Sequence, residues 1–430
     1  MEVLIESVDH EARGVARSAN KVIFVENALP QEVVNVEIKR RKPSYETGVS
    51  TFIKNPSSSR VKPRCESFGV CGGCSFQHVD PRTQLAIKQR VLEDALMRIG
   101  RVRPEQMLSP ISGPSFEYRT RARLSSRYVH KKQKVLVGFR EKGKSYVVDM
   151  MSCEVLPSHV SSLLPELRVL LDSFSIRERV PQIEVACGEK TTVLAFRVLE
   201  DPSETDLLAL RQFGEKHQIV IFIQRGGPAT LSQIYPEQPT ALTYSLPDMG
   251  LTFEFGLSEF TQVNTEVNSV MVRRAISLLE LEVGDRVADM FCGLGNFSLA
   301  IARRGGRVFG IESNQELIER AAHNAEVNGL SDRCEFLAAN LFLEGCPGYK
   351  NLNAIDKLLI DPPRDGAKEL IECIGTDGPK RIVYVSCNPA TLARDSGVLV
   401  NEYGYRLISA SIVNMFPQTS HVESIACFQK

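Results

Sequence analysis

The 430-residue sequence has no apolar run near the ~18 residues that a membrane-spanning helix requires, which argues against an integral membrane protein. Its first residues, 1–9, include acidic side chains and lack a cationic segment ahead of an apolar one, so we expect no secretory signal peptide. The formal net charge is zero, because 52 Lys and Arg balance 52 Asp and Glu. From these absences and an apolar fraction of 43%, we expect a globular cytoplasmic protein.

The charge is nevertheless distributed unevenly along the chain. Residues 1–150 contain 27 Lys and Arg against 16 Asp and Glu, whereas residues 151–430 contain 25 against 36. A basic half on a neutral chain favours a polyanionic partner, most often nucleic acid. The alternative is a basic surface that contacts only solvent.

The cysteines are the next informative residues. Eleven of them, in a chain without an export signal, argue against disulfide bonds and favour metal binding or catalysis for any tight cluster. Cys65, Cys71 and Cys74 fall within ten residues, and the two glycines before Cys74 let the backbone wrap closely. This loop is typical of an iron–sulfur cluster or a zinc ion. Either group needs a fourth ligand, for which we favour Cys153 over His78.

Short apolar segments separated by turn residues predict a small antiparallel barrel over residues 1–54. Four basic residues, 39–42, end its fourth strand, and a small barrel with a basic rim is a common RNA-binding architecture. Residues 55–59 form a linker. Residues 85–99 predict an amphipathic helix capped by Gly100. Residues 155–257 mix strand and helix signals and contain no chemical motif.

A second basic feature follows the helix. Arg119, Arg121 and Arg123 alternate along a predicted strand, so that their guanidinium groups would share one face and bind phosphates. An edge strand kept soluble by its charge is the alternative.

From residue 260 onwards strands and helices alternate, which predicts a doubly wound sheet. A strand over residues 286–291 leads into a glycine-rich loop, and the next strand ends at Glu312, an acid at an offset that suits a ribose diol. Ser298 stands where a dinucleotide-binding loop has its third glycine, and Asp289 precedes the loop. Both features favour S-adenosylmethionine over NAD.

Residues 382–385 predict a buried strand that stops at a Ser-Cys-Asn-Pro turn. Cys387 therefore lies at the carboxyl end of a strand, where open α/β sheets place their chemistry. Its thiolate would be a strong nucleophile. Considered alone, this cysteine fits a small buried apolar residue better.

Taken together, these motifs resemble the RNA (uracil-5-)-methyltransferases over essentially the whole chain. The residues that carry the resemblance are 1–54, which are similar to a TRAM domain, the cysteine loop, and segments 260–264, 289–297, 361–364, 386–389 and 416–423. Segments 118–125, 137–140 and 148–153 are similar to the branch that modifies 23S ribosomal RNA. The sequence departs from the family pattern at Gln418, where His is common, and at Pro363, where that branch often has Ala.

The resemblance implies methylation of C5 of a uridine in RNA, with S-adenosylmethionine as methyl donor and 23S rRNA as the expected substrate. Transfer RNA or another rRNA site is the alternative. It also implies an α/β fold with three parts: an OB-like TRAM β-barrel at 1–55, a central α+β domain with an Fe–S loop at 56–257, and a Rossmann-like methyltransferase domain at 258–430. We expect a monomer that acts on RNA and has no DNA or membrane partner.

The same resemblance implies roles for individual residues. Cys387 would be the nucleophile and Glu423 the base. Four thiols would hold a [4Fe-4S] cluster, namely Cys65, Cys71, Cys74 and Cys153. Contacts to S-adenosylmethionine are implied for Gln262, Phe291, Asn296, Glu312, Asn340 and Asp361.

The sequence argues against three alternative functions. Cytosine-C5 RNA methyltransferases have a second cysteine after the Asp-Pro-Pro motif, and amino-group methyltransferases have an aromatic residue there, whereas this chain has Arg364. A non-catalytic RNA-binding protein with a zinc knuckle would leave Cys387 and the glycine-rich loop unexplained.

Overall fold

The computed structural model describes residues 1–18, 21–352 and 354–430. The first part is a barrel whose strands follow the order β1-β5-β6-β4-β3-β2. The consecutive strands β1 and β2 lie at the two ends of this order, and β4 pairs with β6 in parallel, so the strands are not all antiparallel as predicted. The strands are β1 Glu2–Leu4, β2 Ser7–Val8, β3 Gly14–Ser18, β4 Lys21–Glu26, β5 Val33–Arg41 and β6 Tyr45–Asn55. Alternate apolar residues fill its core, as the period-2 pattern predicts.

Helix α1 (Pro81–Ala95) and strand β7 (Gln106–Met107) come next in the chain. Asp80 caps α1 by accepting hydrogen bonds from the amides of Arg82 and Thr83. The helix does not end at a glycine cap as predicted, but continues through a π-helical turn, Leu96–Gly100. Gly100 is needed for packing instead, because a Cβ atom there would lie 2.3 Å from the carbonyl oxygen of Ala393.

The central sheet has the order β13-β12-β11-β10-β8-β9 and is covered by three helices. Its strands are antiparallel except for the parallel pair β11 and β12. The elements are β8 Arg121–Val129, β9 Lys134–Gly138, α2 Ser158–Ser161, α3 Leu163–Asp172, β10 Gln182–Cys187, β11 Thr192–Arg197, α4 Glu204–His217, β12 Val220–Gln224 and β13 Leu231–Tyr235.

A hairpin, β14 (Leu242–Leu246) and β15 (Leu251–Phe255), connects the central sheet to the last part of the chain. Its buried side chains join one apolar core with those of α5 (Thr265–Leu279) and of the C-terminal sheet. The hairpin is thereby fixed against the sheet that follows.

The C-terminal sheet has the order β18-β17-β16-β19-β20-β22-β21-β7. Its first five strands are parallel, and β22 runs antiparallel to β20 and β21. The elements are β16 Arg286–Met290, α6 Ser298–Arg303, β17 Arg307–Glu312, α7 Gln315–Val327, β18 Cys334–Ala338, α8 Pro347–Lys350, β19 Lys357–Ile360, α9 Lys368–Ile374, β20 Arg381–Ser386, α10 Pro389–Asn401, β21 Arg406–Val413 and β22 Glu423–Gln429. The chain winds outward in both directions from β16 and β19, so a ligand crevice is expected at their carboxyl ends.

Helix α1 and strand β7 pack on this C-terminal sheet, although they precede the central sheet in sequence. Strand β7 pairs with β21, and α1 shares an apolar core with α10 and the sheet. No helix in the described residues has the length and apolar composition needed to cross a membrane.

Candidate active site

A cavity of about 430 Å³ opens at the carboxyl ends of β16, β17, β19 and β20. Its volume is within the usual range for small-molecule sites, about 300–1,000 Å³. Seven of the eight residues predicted to act in catalysis or cofactor binding line it: Gln262, Phe291, Asn296, Glu312, Asp361, Cys387 and Glu423. The topology therefore brings together side chains that are up to 161 positions apart in sequence.

The glycine-rich loop after β16 forms one wall of this cavity. Phe291 adopts a left-handed backbone conformation with φ 64°, which is uncommon for an aromatic residue and typical of functional sites. Gly293 and Gly295 also have positive φ values. Below the loop, the fully buried Asp289 accepts a hydrogen bond of 2.5 Å from the hydroxyl of Ser298. The serine that replaces a third glycine thus holds the acid beneath the loop.

Glu312 ends β17 beside the glycine-rich loop. One of its carboxylate oxygens accepts hydrogen bonds from the backbone amides of Ser313 and Asn314, at 2.7 and 3.1 Å. These bonds orient the carboxylate, whose second oxygen can accept from a pair of ribose hydroxyls. Asn314 caps α7, with its side chain accepting a hydrogen bond from Glu316 N at 2.8 Å.

The side-chain amide of Asn296 is already hydrogen-bonded to other residues of the protein. Its Oδ1 accepts hydrogen bonds from the Tyr244 hydroxyl and from Asn268 Nδ2, both at 3.0 Å. Its Nδ2 donates to Asn268 Oδ1, also at 3.0 Å. Because both oxygen lone pairs are engaged, the remaining N–H is the group with which this side chain can bind a ligand.

Cys387 and Glu423 are brought together by strand register. Ser386, at the end of β20, lies opposite Ser424 of β22 in an antiparallel pair. The residue after Ser386 is Cys387, and the residue before Ser424 is Glu423, so both lie at the same edge of the sheet. Glu423 is buried, and its Oε2 has no hydrogen-bond partner among the described residues.

Burial changes the ionisation of the groups in this cavity. It raises the pKa of Glu423 to about 8, with a further increase from nearby Asp361, while Lys88 opposes the shift. Burial alone raises the pKa of Asp361 to about 7. The pKa of Cys387 is raised by burial and by the charges of Glu423 and Asp361, and Arg364 counteracts this. Groups that titrate near neutrality suit a site that transfers protons.

The four cysteines predicted to bind a cluster line a second, smaller cavity of about 90 Å³. Cys65, Cys71 and Cys74 come from one loop, and Cys153 reaches them from the segment before α2. The pKa of each thiol is raised, chiefly by burial. His78 is not part of this lining. Its ring packs against Phe68 with 5.4 Å between centroids.

Comparison with known proteins identifies the family. A model of the tRNA (uracil-5-)-methyltransferase family matches residues 80–430, and a model of the TRAM domain matches residues 1–49. The chain belongs to the tRNA (uracil-5-)-methyltransferase family. This membership agrees with the resemblance found in the sequence.

Relatives within this methyltransferase family match the chain from end to end. The 23S rRNA (uracil(1939)-C(5))-methyltransferase RlmD of Azoarcus sp. (strain BH72) is 53% identical over 428 residues, which cover 99% of each chain. RlmD of Nitrosospira multiformis is 51% identical, and the match covers 100% of this chain and 98% of the relative.

A solved structure shows the fold shared by this methyltransferase and a more distant protein. Pyrococcus abyssi tRNA (uracil-54, C5)-methyltransferase, crystallised with S-adenosyl-L-homocysteine, is 24% identical. It superposes with a TM-score of 0.75, and the match covers 100% of both chains. The predicted fold class, a Rossmann-like methyltransferase domain preceded by a TRAM barrel, is confirmed.

Two residues of this methyltransferase lie elsewhere than the sequence indicated. Asn340 does not line the cavity; it is exposed, and its Oδ1 accepts from the backbone amide of Phe342, which does line it. Arg121 does not present its guanidinium to solvent, since it donates to the carbonyl oxygens of Leu257 and Glu259. A strand pattern predicts which face a residue occupies but not whether a neighbouring loop covers that face.

Some residues of the site were not predicted from the sequence. Tyr244 lines the cavity from β14, although residues 155–257 contain no recognisable motif. Lys88 does not line the cavity, but its charge acts on Glu423. It was not predicted either, although a charged residue among the apolar positions of the predicted helix is a usable signal.

Proposed function

We propose that this chain is an S-adenosylmethionine-dependent methyltransferase that methylates C5 of a uridine in 23S ribosomal RNA. The observation that carries the proposal is that Cys387 and Glu423 line the same cavity as the glycine-rich loop and Glu312. The relatives named RlmD, about half identical over their whole length, support 23S rRNA as the substrate. Transfer RNA or another rRNA site is the alternative.

The chemistry of uracil explains why both residues are needed. C5 is a weak nucleophile until a thiolate adds to C6. We assign this addition to Cys387, and the electron pair displaced from the C5–C6 double bond makes C5 electron-rich. Bound S-adenosylmethionine supplies an electrophilic methyl group that C5 can accept. Glu423 then removes the C5 proton, the C5–C6 double bond re-forms, and the Cys387 thiolate leaves.

The cavity fits the methyl donor. We assign to its binding the loop residues Phe291 and Asn296, the acids Glu312 and Asp361, and Gln262. One Glu312 oxygen is already held by backbone amides, which leaves the other for ribose hydroxyls. Asn340 is also proposed as a contact of the methyl donor; its Oδ1 accepts from the backbone amide of Phe342 at the cavity wall.

The four-thiol cavity is proposed to hold a [4Fe-4S] cluster, with Cys65, Cys71, Cys74 and Cys153 as ligands. In the part of the chain that the structure describes, no three Cys, His, Asp or Glu side chains are arranged to hold one metal ion. A four-iron cluster does not require this arrangement, because each thiolate binds a different iron. A small cavity lined by four thiols and mostly apolar neighbours therefore fits a cluster better than zinc.

We also propose that three parts of the chain have separate roles. The TRAM barrel at 1–55 binds RNA, the central domain at 56–257 holds the cluster, and the domain at 258–430 carries out catalysis. Helix α1 and β7 belong to the central part in sequence but pack on the catalytic sheet. The proposal includes a cytoplasmic monomer that acts on RNA and has no DNA or membrane partner.

Mass mapping of ribosomal RNA tests the function directly. A strain that lacks this gene should lose one 5-methyluridine from its 23S rRNA, and the wild-type gene should restore it. A Cys387→Ala gene is the matched control and should not restore it. Loss of the modification from transfer RNA instead would support the alternative substrate.

A further inference from the structure

Lys88 is a buried charged residue to which the proposed chemistry gives no role. It lies on α1 with 1% of its surface exposed, one turn after Gln84 and one turn before Leu92, which are also buried. Fully buried lysines are rare unless they are paired. Its ammonium donates to Asn414 Oδ1 at 2.7 Å and to the carbonyl oxygen of Phe416 at 2.9 Å.

These two acceptors belong to the loop that delivers the base. The loop begins at Asn414, after β21, and ends where Glu423 opens β22. Lys88 binds the first turn of this loop, residues 414–416. These two hydrogen bonds satisfy two of the three donors of its ammonium group. The protein thus places a buried positive charge behind the loop of the proposed base.

The charges near Glu423 show what a cation does there. Asp361 approaches from the end of β19, and its charge raises the pKa of Glu423. Cys387 approaches from the end of β20, and the charges of both acids raise its pKa. Arg364 acts on Cys387 and His421, whereas Lys88 is the cation whose charge lowers the pKa of Glu423. The influence is mutual, since Glu423 raises the pKa of Lys88 while burial lowers it to about 7.

We infer that Lys88 is a positioning residue for the proposed methyl transfer, which holds the loop 414–422 and, through its charge, increases the fraction of the buried Glu423 carboxyl that is ionised and can accept the C5 proton. The inference rests on the proposed function. Burial and the charge of Asp361 favour the neutral carboxylic acid, which cannot act as a base, and a nearby ammonium opposes this shift. In this account Lys88 contacts neither RNA nor the methyl donor and acts only through Glu423.

The first test measures proton removal as a function of pH. RNA that carries tritium at C5 of its uridines releases the label when the base acts, so single-turnover release by wild type and by Lys88→Met can be compared. Methionine keeps the apolar stem but removes the charge. For Lys88→Met, the midpoint of the acidic limb of the rate–pH profile should lie about one pH unit or more above that of wild type. Below the midpoint, tritium release by the variant should be about tenfold slower for each pH unit of this shift.

Gln84→Met is the matched control. Gln84 occupies the same face of α1 one turn earlier, is equally buried, and exchanges hydrogen bonds with Gln418 of the same loop. It is uncharged, so its loss should slow release by a similar factor at every pH without moving the midpoint. If Lys88→Met also slows release uniformly, Lys88 only anchors the loop and the inference is wrong.

A second measurement does not require RNA or activity. Lys88→Met, Glu423→Gln and the double variant form a cycle, with stability read from the denaturant midpoint at a pH between 7 and 8. Because each of the two groups favours the charged form of the other, Lys88→Met should lower the midpoint less in the Glu423→Gln background than in wild type. Equal losses in both backgrounds would overturn the inference, whereas wild type without tritium release would instead overturn the proposed function.

Discussion

Cys387 and Glu423 are neighbours across an antiparallel strand pair, although 35 residues separate them in sequence. The pairing of Ser386 with Ser424 fixes the register, and a shift of one residue would turn one of the two groups away from the cavity. The antiparallel strand β22, beside an otherwise parallel sheet, therefore determines where the proposed base lies relative to Cys387. The paired strands place a thiol and a carboxyl at one edge of the sheet.

The reactivity of Cys387 should depend on Arg364. The arginine lowers the pKa of this thiol, against the opposite influence of burial and two acids. In Arg364→Gln the thiolate fraction should fall, so that iodoacetamide labels Cys387 several-fold more slowly at a given pH, as measured by peptide mass spectrometry. Lys368→Gln removes a charge from an exposed residue nearby and should label at the wild-type rate. Equal labelling of wild type and Arg364→Gln would exclude an effect of Arg364.

Asp289 should make stability depend on pH. Burial raises its pKa from 3.8 to about 7, so between these values the folded protein binds a proton that the unfolded chain has lost. Wild-type stability should therefore fall relative to Asp289→Asn as pH rises from 4 to 7, by at most about 1.4 kcal/mol per unit. Urea unfolding at several pH values measures this. Asp332→Asn, at an exposed position, is the control and should show no such trend.

The cluster proposal predicts a metal content. Protein purified without air should contain about four irons per chain, as expected for one cubane. Cys153→Ser should lose iron, because Cys153 lines the four-thiol cavity, whereas His78→Ala should retain it because His78 does not. Elemental analysis that finds one zinc and no iron would refute the cluster.

RNA binding should involve the rim of the barrel. Arg40 and Arg41 are exposed at the end of β5. Replacing both with Ala should weaken RNA binding and reduce the slope of log K against log salt by about 0.7 for each lost contact to single-stranded RNA. Arg307→Ala is the control, because Arg307 starts β17 at the sheet edge opposite the cavity. An unchanged slope in the Arg40 and Arg41 double variant would place RNA elsewhere.

Much of the fold could be predicted because strands and turns depend on local patterns, whereas most residues of the site were implied by the family resemblance. Apolar runs that end in polar turns located β16, β17 and β20, and parallel pairing within one sheet brought their ends together. Contacts made by loops and distant helices could not be predicted in this way. Arg121 is covered by residues 257–259, Tyr244 enters from a segment without a motif, and Lys88 reaches the loop 414–422 across more than 300 residues.

Gly100 and Gln418 show the same limit at single positions. The sequence indicated a helix cap at Gly100, but the absence of a side chain allows α10 to approach instead. Gln418 stands where the family often has His, and its buried side chain pairs with Gln84. Its backbone has φ 67°. Neither the contact of Gly100 with α10 nor the hydrogen bond of Gln418 with Gln84 can be inferred from the residues next to them in sequence.

The most direct test of covalent catalysis is a denaturing gel of enzyme incubated with 23S rRNA and S-adenosylmethionine. Without the thiol C5 is not activated, so Cys387→Ala should bind RNA but form no adduct and no product. Without the base the methylated adduct cannot break down, so Glu423→Gln should accumulate an enzyme–RNA complex that survives denaturation. Turnover should fall by about 10²–10⁴-fold when the base is lost. Methylation of uridine by Cys387→Ala, or the absence of any adduct with Glu423→Gln, would contradict the account.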